Sequence, residues 1–96
     1  MSERALVQRD SVPVLGAHMR LRYDSARSTW SIQAPERAFL LDDIAHAIVS
    51  RCDGRTSVAG IVGALCSVHA DAPREQIAAD VLQLIQSLVD KGVMVQ

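Results

Sequence analysis

The chain has 96 residues and a formal net charge of −1, with ten Lys and Arg against eleven Asp and Glu. Apolar residues make up 49% of it, and aromatic residues only 3%. This chain is too apolar and too weakly charged to be disordered. It also lacks the basic excess of a protein that binds nucleic-acid phosphates. The length predicts one small domain with an aliphatic core and no deep catalytic cavity.

The chain begins with polar residues of mixed charge, and we expect residues 1–11 to form a flexible tail before a single domain at residues 12–96. This start lacks the apolar segment of a secretory signal. No run approaches the roughly 18 apolar residues of a membrane helix. Cys52 and Cys66 form no C-x-x-C pair, so we expect two free thiols. We therefore expect a cytoplasmic protein that has no contact with a membrane.

The first half of the chain has the alternation of apolar and polar residues that is typical of strands. Residues 18–24 and 30–34 alternate in this way, and the polar residues between them predict a β-hairpin. Residues 12–15 form a short extended piece before it. Residues 37–41 fit either a third short strand or the segment that leads into a helix.

The second half has apolar residues at helical spacing, and it predicts three helices. The first starts at an N-cap formed by Asp42 or Asp43 and ends at Asp53-Gly54. Its apolar stripe consists of Leu41, Ile44, Ala45, Ile48, Val49 and Cys52. Thr56 or Ser57 is the N-cap of the second helix.

The third helix is predicted to begin near Pro73 and to end near Lys91, before Gly92. Its expected core stripe consists of Ile77, Val81, Leu84, Ile85 and Leu88. Three further residues, Ala78, Leu82 and Val89, make the apolar face wider than the roughly 100° of a surface helix. Either this helix is central and packed on several sides, or part of its face awaits a partner.

The sequence shows no constellation for catalysis or metal binding, and we expect neither a catalytic residue, a metal nor a cofactor. The three histidines, His18, His46 and His69, are dispersed along the chain. The adjacent carboxylates of Asp42 and Asp43 fit helix capping better than acid–base chemistry. No glycine-rich loop of the phosphate-binding kind is present. The chain is therefore predicted to be a binding protein, not an enzyme.

The order of the predicted elements favours an α+β, winged-helix-like fold, with a small antiparallel sheet of two or three strands followed by three helices. Winged-helix proteins often bind DNA, so DNA binding is one alternative function. The third helix offers Arg74 and Lys91 only at its ends, which disfavours contact with phosphates. A second alternative is a homodimer in which the wide apolar face of the third helix meets its own copy.

Residues across the chain resemble the PqqD family of pyrroloquinoline quinone biosynthesis. Those that carry the resemblance are Pro35-Glu36, Leu41-Asp42, Ala45, Ile48-Val49, Cys52-Asp53-Gly54, Ser57-Val58, Ile61-Val62, Asp80-Val81, Leu88 and Gly92-Val93. The preceding Arg20 to Asp24 and Trp30 fit the family's amino-terminal hairpin. The match covers roughly residues 13–95, which is nearly the whole chain.

The resemblance implies a noncatalytic peptide chaperone built on the RiPP recognition element, a winged-helix-like domain of three strands and three helices. Such a protein binds the ribosomally made precursor peptide of pyrroloquinoline quinone and presents it to a radical S-adenosylmethionine enzyme. The leader segment of the peptide adds as a strand to the sheet edge and lies against the last helix. Nucleic acid is not an expected partner.

The resemblance, read with the predicted elements, places a peptide site between Arg37–Leu41 and the third helix. Backbone groups of the strand would pair with the peptide, and either Phe39 or Leu40 would join the third helix in the groove floor. Arg37 and Arg74 would meet acidic residues of the peptide. The predicted peptide-binding residues are Arg37, Ala38, Phe39, Leu40, Arg74, Ile77, Val81, Leu84 and Ile85.

Overall fold

Strands occupy much of the first half and helices much of the second half of residues 6–96, the part of the chain that the computed structural model describes. The strands are β1 (Val14–Leu15), β2 (Arg20–Asp24), β3 (Thr29–Gln33), β4 (Ala38–Leu41) and β5 (Met94–Val95). The helices are α1 (Asp43–Val49), α2 (Val58–Val68) and α3 (Arg74–Asp90). The predicted α+β fold with a small antiparallel sheet and three helices is confirmed.

Strands β2, β3 and β4 form an antiparallel sheet in that order, with β3 in the centre. The predicted hairpin is therefore present, and residues 38–41 form the third strand. The Asp24 carboxylate closes the hairpin turn because it accepts the N–H groups of Ala26 and Arg27 at 3.0 and 3.3 Å. Among the described residues β4 has no strand neighbour other than β3, so it is an edge strand.

The inner face of the sheet packs against the helices. Two cross-strand rows share this face, Leu21 with Ile32 and Phe39, and Tyr23 with Trp30 and Leu41. Ile32 is fully buried at the centre of the sheet, and Leu41 is buried beside α1. Trp30 stacks on the His46 ring of α1, with ring centroids 4.3 Å apart. The sheet is thus joined to α1 by both aliphatic and aromatic contacts.

The α3 helix forms the centre of the helical layer. Ile77, Val81, Ile85 and Leu88 are buried as their spacing predicts, and each such side chain contributes about 1.5–3 kcal/mol by leaving water. Leu84, predicted on the same stripe, is only half-buried. No helix within residues 6–96 is both long enough and apolar enough to cross a bilayer.

The first helix is shorter than predicted and buries fewer residues. It ends at Val49, with Ser50 as the C-cap, and does not extend to Cys52. Ile44 has the spacing of the apolar stripe, but 60% of its surface is exposed. At about 100° per residue, Ile44 lies about 90° around α1 from the midpoint of the buried Ile48 and Val49, and so at the margin of the stripe.

The Asp53-Gly54 pair forms a turn between α1 and α2. The Asp53 carboxylate accepts the N–H groups of Arg55 and Thr56, each at 2.8 Å, and these hydrogen bonds lower the pKa of Asp53. Gly54 has a φ of +75°, and a Cβ added there would lie 3.3 Å from the Cβ of Val14. The pair therefore has a structural role in this turn.

The predicted amino-terminal tail makes specific contacts over its described part, while residues 1–5 lie outside the described residues. The Val7 N–H donates to the Gln86 side chain of α3 at 2.8 Å. The carbonyl oxygens of Arg9 and Ser11 each accept an N–H group from the start of α2 at 2.9 Å. This segment thus satisfies backbone donors that a helix start leaves unpaired, a role that its polar composition does not reveal.

The two ends of the domain meet in a second, two-stranded sheet. Strands β1 and β5 pair antiparallel, with Val14 opposite Val95 and Leu15 opposite Met94. The Gly16 N–H extends this contact by donating to a carbonyl oxygen of the β5 segment at 2.9 Å. Val93 and Met94, which follow the third helix, are at most 1% exposed and form part of the core.

The two cysteines are expected to differ in reactivity. Cys52 is buried and its thiol donates to the Ile48 carbonyl at 3.3 Å. Burial, aided by the neighbouring Asp53 carboxylate, raises the pKa of this thiol from 9.0 to about 12. Cys66 on α2 is partly exposed.

At pH 8, a disulfide reagent such as DTNB should therefore modify Cys66 quickly and Cys52 slowly. Both thiols should react quickly in urea, where the chain is unfolded.

The Cys66→Ser variant isolates the buried thiol, and its rapid labelling in the folded state would contradict this assignment. Because the unfolded thiol ionises near 9.0 and the folded one near 12, the unfolded state loses its proton first. The free energy of unfolding of this variant should therefore fall as the pH rises across that interval.

Candidate functional site

The unpaired edge of β4 presents backbone groups at alternate residues. In an antiparallel pair, successive residues direct their N–H and C=O groups alternately toward and away from the partner strand. The Arg37 carbonyl accepts an N–H from the residue after β3 at 2.8 Å, and the register places Phe39 and Leu41 in the same phase. Ala38 and Leu40 therefore direct their N–H and C=O groups away from β3, as a free edge does.

A cationic cluster joins the start of β4 to the end of α3. The Arg37 guanidinium donates to the Lys91 carbonyl at 3.4 Å. Its central carbon lies 4.9 Å from the centroid of the Phe39 ring, and the Lys91 ammonium lies 5.7 Å from it. Lys91 is also the C-cap of α3, where the helix dipole favours a positive charge. This end of the strand is therefore positively charged and held against α3.

A cleft of about 320 Å³ lies between α1 and α3, beyond the other end of β4. It is lined by Asp42, Ile44, Ala45 and Ile48 on the α1 side and by Asp80, Gln83, Leu84 and Ser87 on the α3 side. We call it the α1–α3 cleft. Leu41, the last residue of β4, is followed directly by Asp42. The open edge leads along the chain into the cleft, because Asp42 both follows β4 and lines the cleft, and we call the two together the groove.

Asp42 connects the strand to the helix and makes this end of the groove acidic. Its carboxylate accepts the Ala45 N–H at 2.7 Å and so forms the N-cap of α1. Across the cleft, the Asp80 carboxylate accepts a hydrogen bond from Gln76 at 3.0 Å. The groove therefore has cations at one end and carboxylates at the other.

Nothing in the described part of the chain assembles the groups that metal chemistry needs. No cluster of three or more His, Cys, Asp or Glu within residues 6–96 has the geometry to hold a metal ion. His46 stacks on Trp30, whereas His18 lies in the turn before β2 and His69 is the C-cap of α2. The groove offers backbone groups, apolar side chains and charges, which are features of a binding surface.

The comparison with protein families decides the identity of the fold. The model of the family described as "Coenzyme PQQ synthesis protein D (PqqD)" matches residues 29–94. That range contains β3, β4 and all three helices, and so the whole groove. The chain belongs to the PqqD family. The resemblance stated from the sequence is therefore confirmed.

Individual PqqD relatives are similar over almost their full length. A protein named "PqqA binding protein" from Rhodopseudomonas palustris (strain HaA2) is 42% identical over 99% of this chain and 92% of its own. The solution structure of the PqqD truncation of Methylobacterium extorquens PqqCD has a TM-score of 0.81 at 36% identity, with 97% of each chain covered. The crystal structure of PqqD from Xanthomonas campestris has a TM-score of 0.55 at 42% identity, covering 90% of this chain and 94% of that one.

Five of the residues predicted to bind a peptide lie at the groove of this PqqD protein. Ala38 and Leu40 supply the outward backbone groups, although the Leu40 side chain lies on the outer face of the sheet and is 64% exposed. Phe39 lies on the inner face beside Arg37. Leu84 lines the α1–α3 cleft.

The other four predicted residues lie away from the open edge. Ile77 and Val81 are buried and line a second pocket further along α3. Ile85 is fully buried in the core. Arg74 is at the first turn of α3, about 24 Å along the helix axis from Asp90 at 1.5 Å per residue. Arg37 is close to the opposite end of the helix, so the structure does not bring the two arginines together.

Sequence reasoning missed three residues that shape the groove of this PqqD protein. For Lys91 the sequence indicates only the end of a helix. A cation at that position is favoured by the helix dipole, and its contact with the Phe39 ring is seen only in the structure. Ile44 was assigned to the core because its spacing is that of a buried residue. Asp80 carries part of the family resemblance, but the sequence does not show that it faces α1.

Removal of the Asp42 cap should destabilise the domain more than removal of its neighbour. We expect Asp42→Ala to lower the free energy of unfolding by about 0.5–2 kcal/mol, because the Ala45 N–H loses its acceptor. Asp43→Ala is the matched control. It removes a first-turn charge that interacts with the helix dipole, an effect of about 0.3–1 kcal/mol. Urea denaturation of both variants measures the difference, and an equal or larger effect at Asp43 would contradict the capping role.

Proposed function

We propose that this protein is a noncatalytic peptide chaperone of pyrroloquinoline quinone biosynthesis, and that it binds the PqqA precursor peptide in the groove. The observation that carries the proposal is the open edge of β4, which leads directly into the α1–α3 cleft. An extended peptide can pair with such an edge through its backbone, while alternate side chains enter the adjoining cleft. Ala38 and Leu40 provide the four backbone groups for that pairing.

The names of similar proteins support this choice of peptide. Relatives from Rhodopseudomonas palustris and Xanthomonas campestris carry the name "PqqA binding protein". The Methylobacterium extorquens structure is described as a functional and stand-alone RiPP recognition element. This chain shares its fold over nearly the whole length, and we propose that it shares this mode of recognition.

The distribution of charge in the groove favours one orientation of the peptide. Arg37 and Lys91 lie at the start of β4, and Asp42 and Asp80 lie beyond its end. A peptide with acidic residues near the first pair and basic residues near the second would approach faster and bind in a fixed register, because complementary charges act mainly on association and specificity. The reverse orientation would place like charges together.

We further propose that the bound peptide is presented to a radical S-adenosylmethionine enzyme in the cytoplasm. The Methylobacterium extorquens relative supports a role beside a second protein, because its PqqD part is a truncation of a PqqCD protein.

The α3 helix supports neither of the two alternative functions, DNA binding and homodimer formation. Its exposed side carries Glu75 and Asp90, whose negative charges disfavour binding to the phosphates of DNA. One flank of its wide apolar face lies beside the amino-terminal segment, which leaves less of that face for a second copy.

A proline in the open edge tests the binding mode. Leu40→Pro removes an outward N–H and places the ring in the path of the peptide, but it removes no hydrogen bond between β3 and β4. We expect PqqA binding to weaken about tenfold or more, from one lost hydrogen bond and the added clash. Isothermal titration calorimetry gives the affinity, and amide spectra of the free variant check that it remains folded.

Leu40→Ala is the matched control, because it keeps the N–H and removes only an exposed side chain. It should bind PqqA like the unaltered protein. In the unaltered protein, PqqA should shift the amide resonances of β4 and α3. Unchanged spectra at high-micromolar peptide would contradict the proposed function.

A further inference from the structure

A second pocket lies further along α1 and α3, toward the end of α2, with a volume of about 270 Å³. Its floor is apolar and buried, because Ile48, Leu65, Ile77 and Val81 are each at most 8% exposed. Ala72, in the segment between α2 and α3, lines one side. We call this the α2-side pocket.

The α2-side pocket is continuous with the groove. Ile44, Ile48 and Asp80 line both the α1–α3 cleft and this pocket. Ile44 is at the boundary, where 60% of its surface is exposed. An isoleucine this exposed is stabilised when a ligand that spans both spaces covers it. Its position therefore suggests that a single ligand passes over it.

We infer that the α2-side pocket receives one large apolar side chain of the same peptide that pairs with β4. This inference rests on the proposed function, since it extends the path of that peptide beyond the α1–α3 cleft. The volume of about 270 Å³ is below the roughly 300–1,000 Å³ of small-molecule and cofactor sites. Because this volume is close to that lower limit and the pocket opens onto the α1–α3 cleft at Ile44, Ile48 and Asp80, the pocket favours a side chain of a longer ligand over a separate small molecule.

The helix sets the distance between the two contacts. Leu84 lines the cleft and Ile77 lines the α2-side pocket. The two are seven positions apart on α3, about 10 Å at 1.5 Å per residue. An extended peptide covers that distance in about three residues at 3.3 Å each. The anchoring side chain thus belongs to a peptide residue about three positions from the one that contacts Leu84.

The rim of the α2-side pocket favours a basic residue beside the anchor. His69, Asp71, Gln76 and Asp80 form this rim. Within residues 6–96, neither Asp71 nor Asp80 is in an ion pair. A Lys or Arg next to the apolar anchor would meet two carboxylates that no cation neutralises. The pocket therefore selects an apolar side chain with a cationic neighbour, which the open edge of β4 cannot do.

A variant that fills the pocket from its side tests the inference. Ala72→Leu places a larger side chain in the α2-side pocket and leaves β4 and Leu84 unchanged. We expect PqqA to bind about 10- to 100-fold more weakly, the equivalent of one buried apolar side chain. Ala79→Leu is the matched control, because Ala79 is exposed on α3 and lines neither the α1–α3 cleft nor the α2-side pocket. This variant should bind like the unaltered protein.

An alanine scan of PqqA then identifies the anchor. Substitution of the anchor should weaken binding to the unaltered protein about 10- to 100-fold. It should have almost no further effect in the Ala72→Leu background, since that variant has already closed the pocket. A measurement on the unaltered protein does not depend on how a variant folds. There, PqqA should shift the methyl resonances of Leu65 and Ile77.

The outcomes separate this inference from the proposed function. If PqqA shifts the β4 amides but leaves the Leu65 and Ile77 methyl groups unmoved, and Ala72→Leu binds equally well, the inference is wrong while the proposed function stands. If PqqA does not bind the unaltered protein at all, both are wrong. If every alanine substitution in PqqA weakens binding to Ala72→Leu as much as binding to the unaltered protein, the inference is also wrong.

Discussion

The burial of one stripe of α3 determines which residues the groove receives. Ile77, Val81, Ile85 and Leu88 are fixed against the core, and successive residues are about 100° apart around a helix. The residues about 60–120° around the helix axis to one side of this stripe therefore face α1 and β4. They are Asp80, Leu84, Ser87 and Lys91. Ala78, Leu82 and Val89 lie on the other flank, which holds the segment around Val7 and Arg9. The buried stripe of α3 thus has two flanks: one faces α1 and β4, and the other faces the amino-terminal segment.

The direct passage from β4 into α1 keeps the sheet edge free. A single residue, Asp42, separates Leu41 from the first residue of the helix, and α1 packs on the inner face of the sheet beside Trp30. Within residues 6–96, no strand pairs with the outer side of β4. The edge is only four residues long, and short edges limit unwanted pairing between copies. The same shortness means that a specific partner needs contacts beyond the strand, and the α1–α3 cleft is placed to supply them.

Sequence patterns predict the parts of this fold that depend on local periodicity. The β2–β3 hairpin and the α3 stripe follow from alternation and helical spacing. Residues 38–41 could not be assigned, because four consecutive residues without a polar one suit a strand and a helix equally. The β1–β5 pair was missed because two-residue strands at opposite ends of the chain have no local signal. At the site, helical spacing put Ile44 in the core, because spacing does not show which flank of a helix meets which neighbour. The resemblance, read with the predicted elements, assigned both Arg37 and Arg74 to one peptide site, because it does not show which end of the third helix lies beside the strand.

The division between edge and pockets explains how one small surface can be both adaptable and selective. Backbone pairing at Ala38 and Leu40 accepts almost any extended sequence, and each hydrogen bond contributes only about 0.5–1.5 kcal/mol. An unfolded peptide must also lose conformational entropy when it binds. The edge has to be held in place before the peptide arrives, and the Arg37–Lys91 contact and the Asp42 cap do this at its two ends. In the proposed complex, discrimination between peptides would depend on the α1–α3 cleft, the α2-side pocket and the charges around them, because these are the parts that would contact peptide side chains.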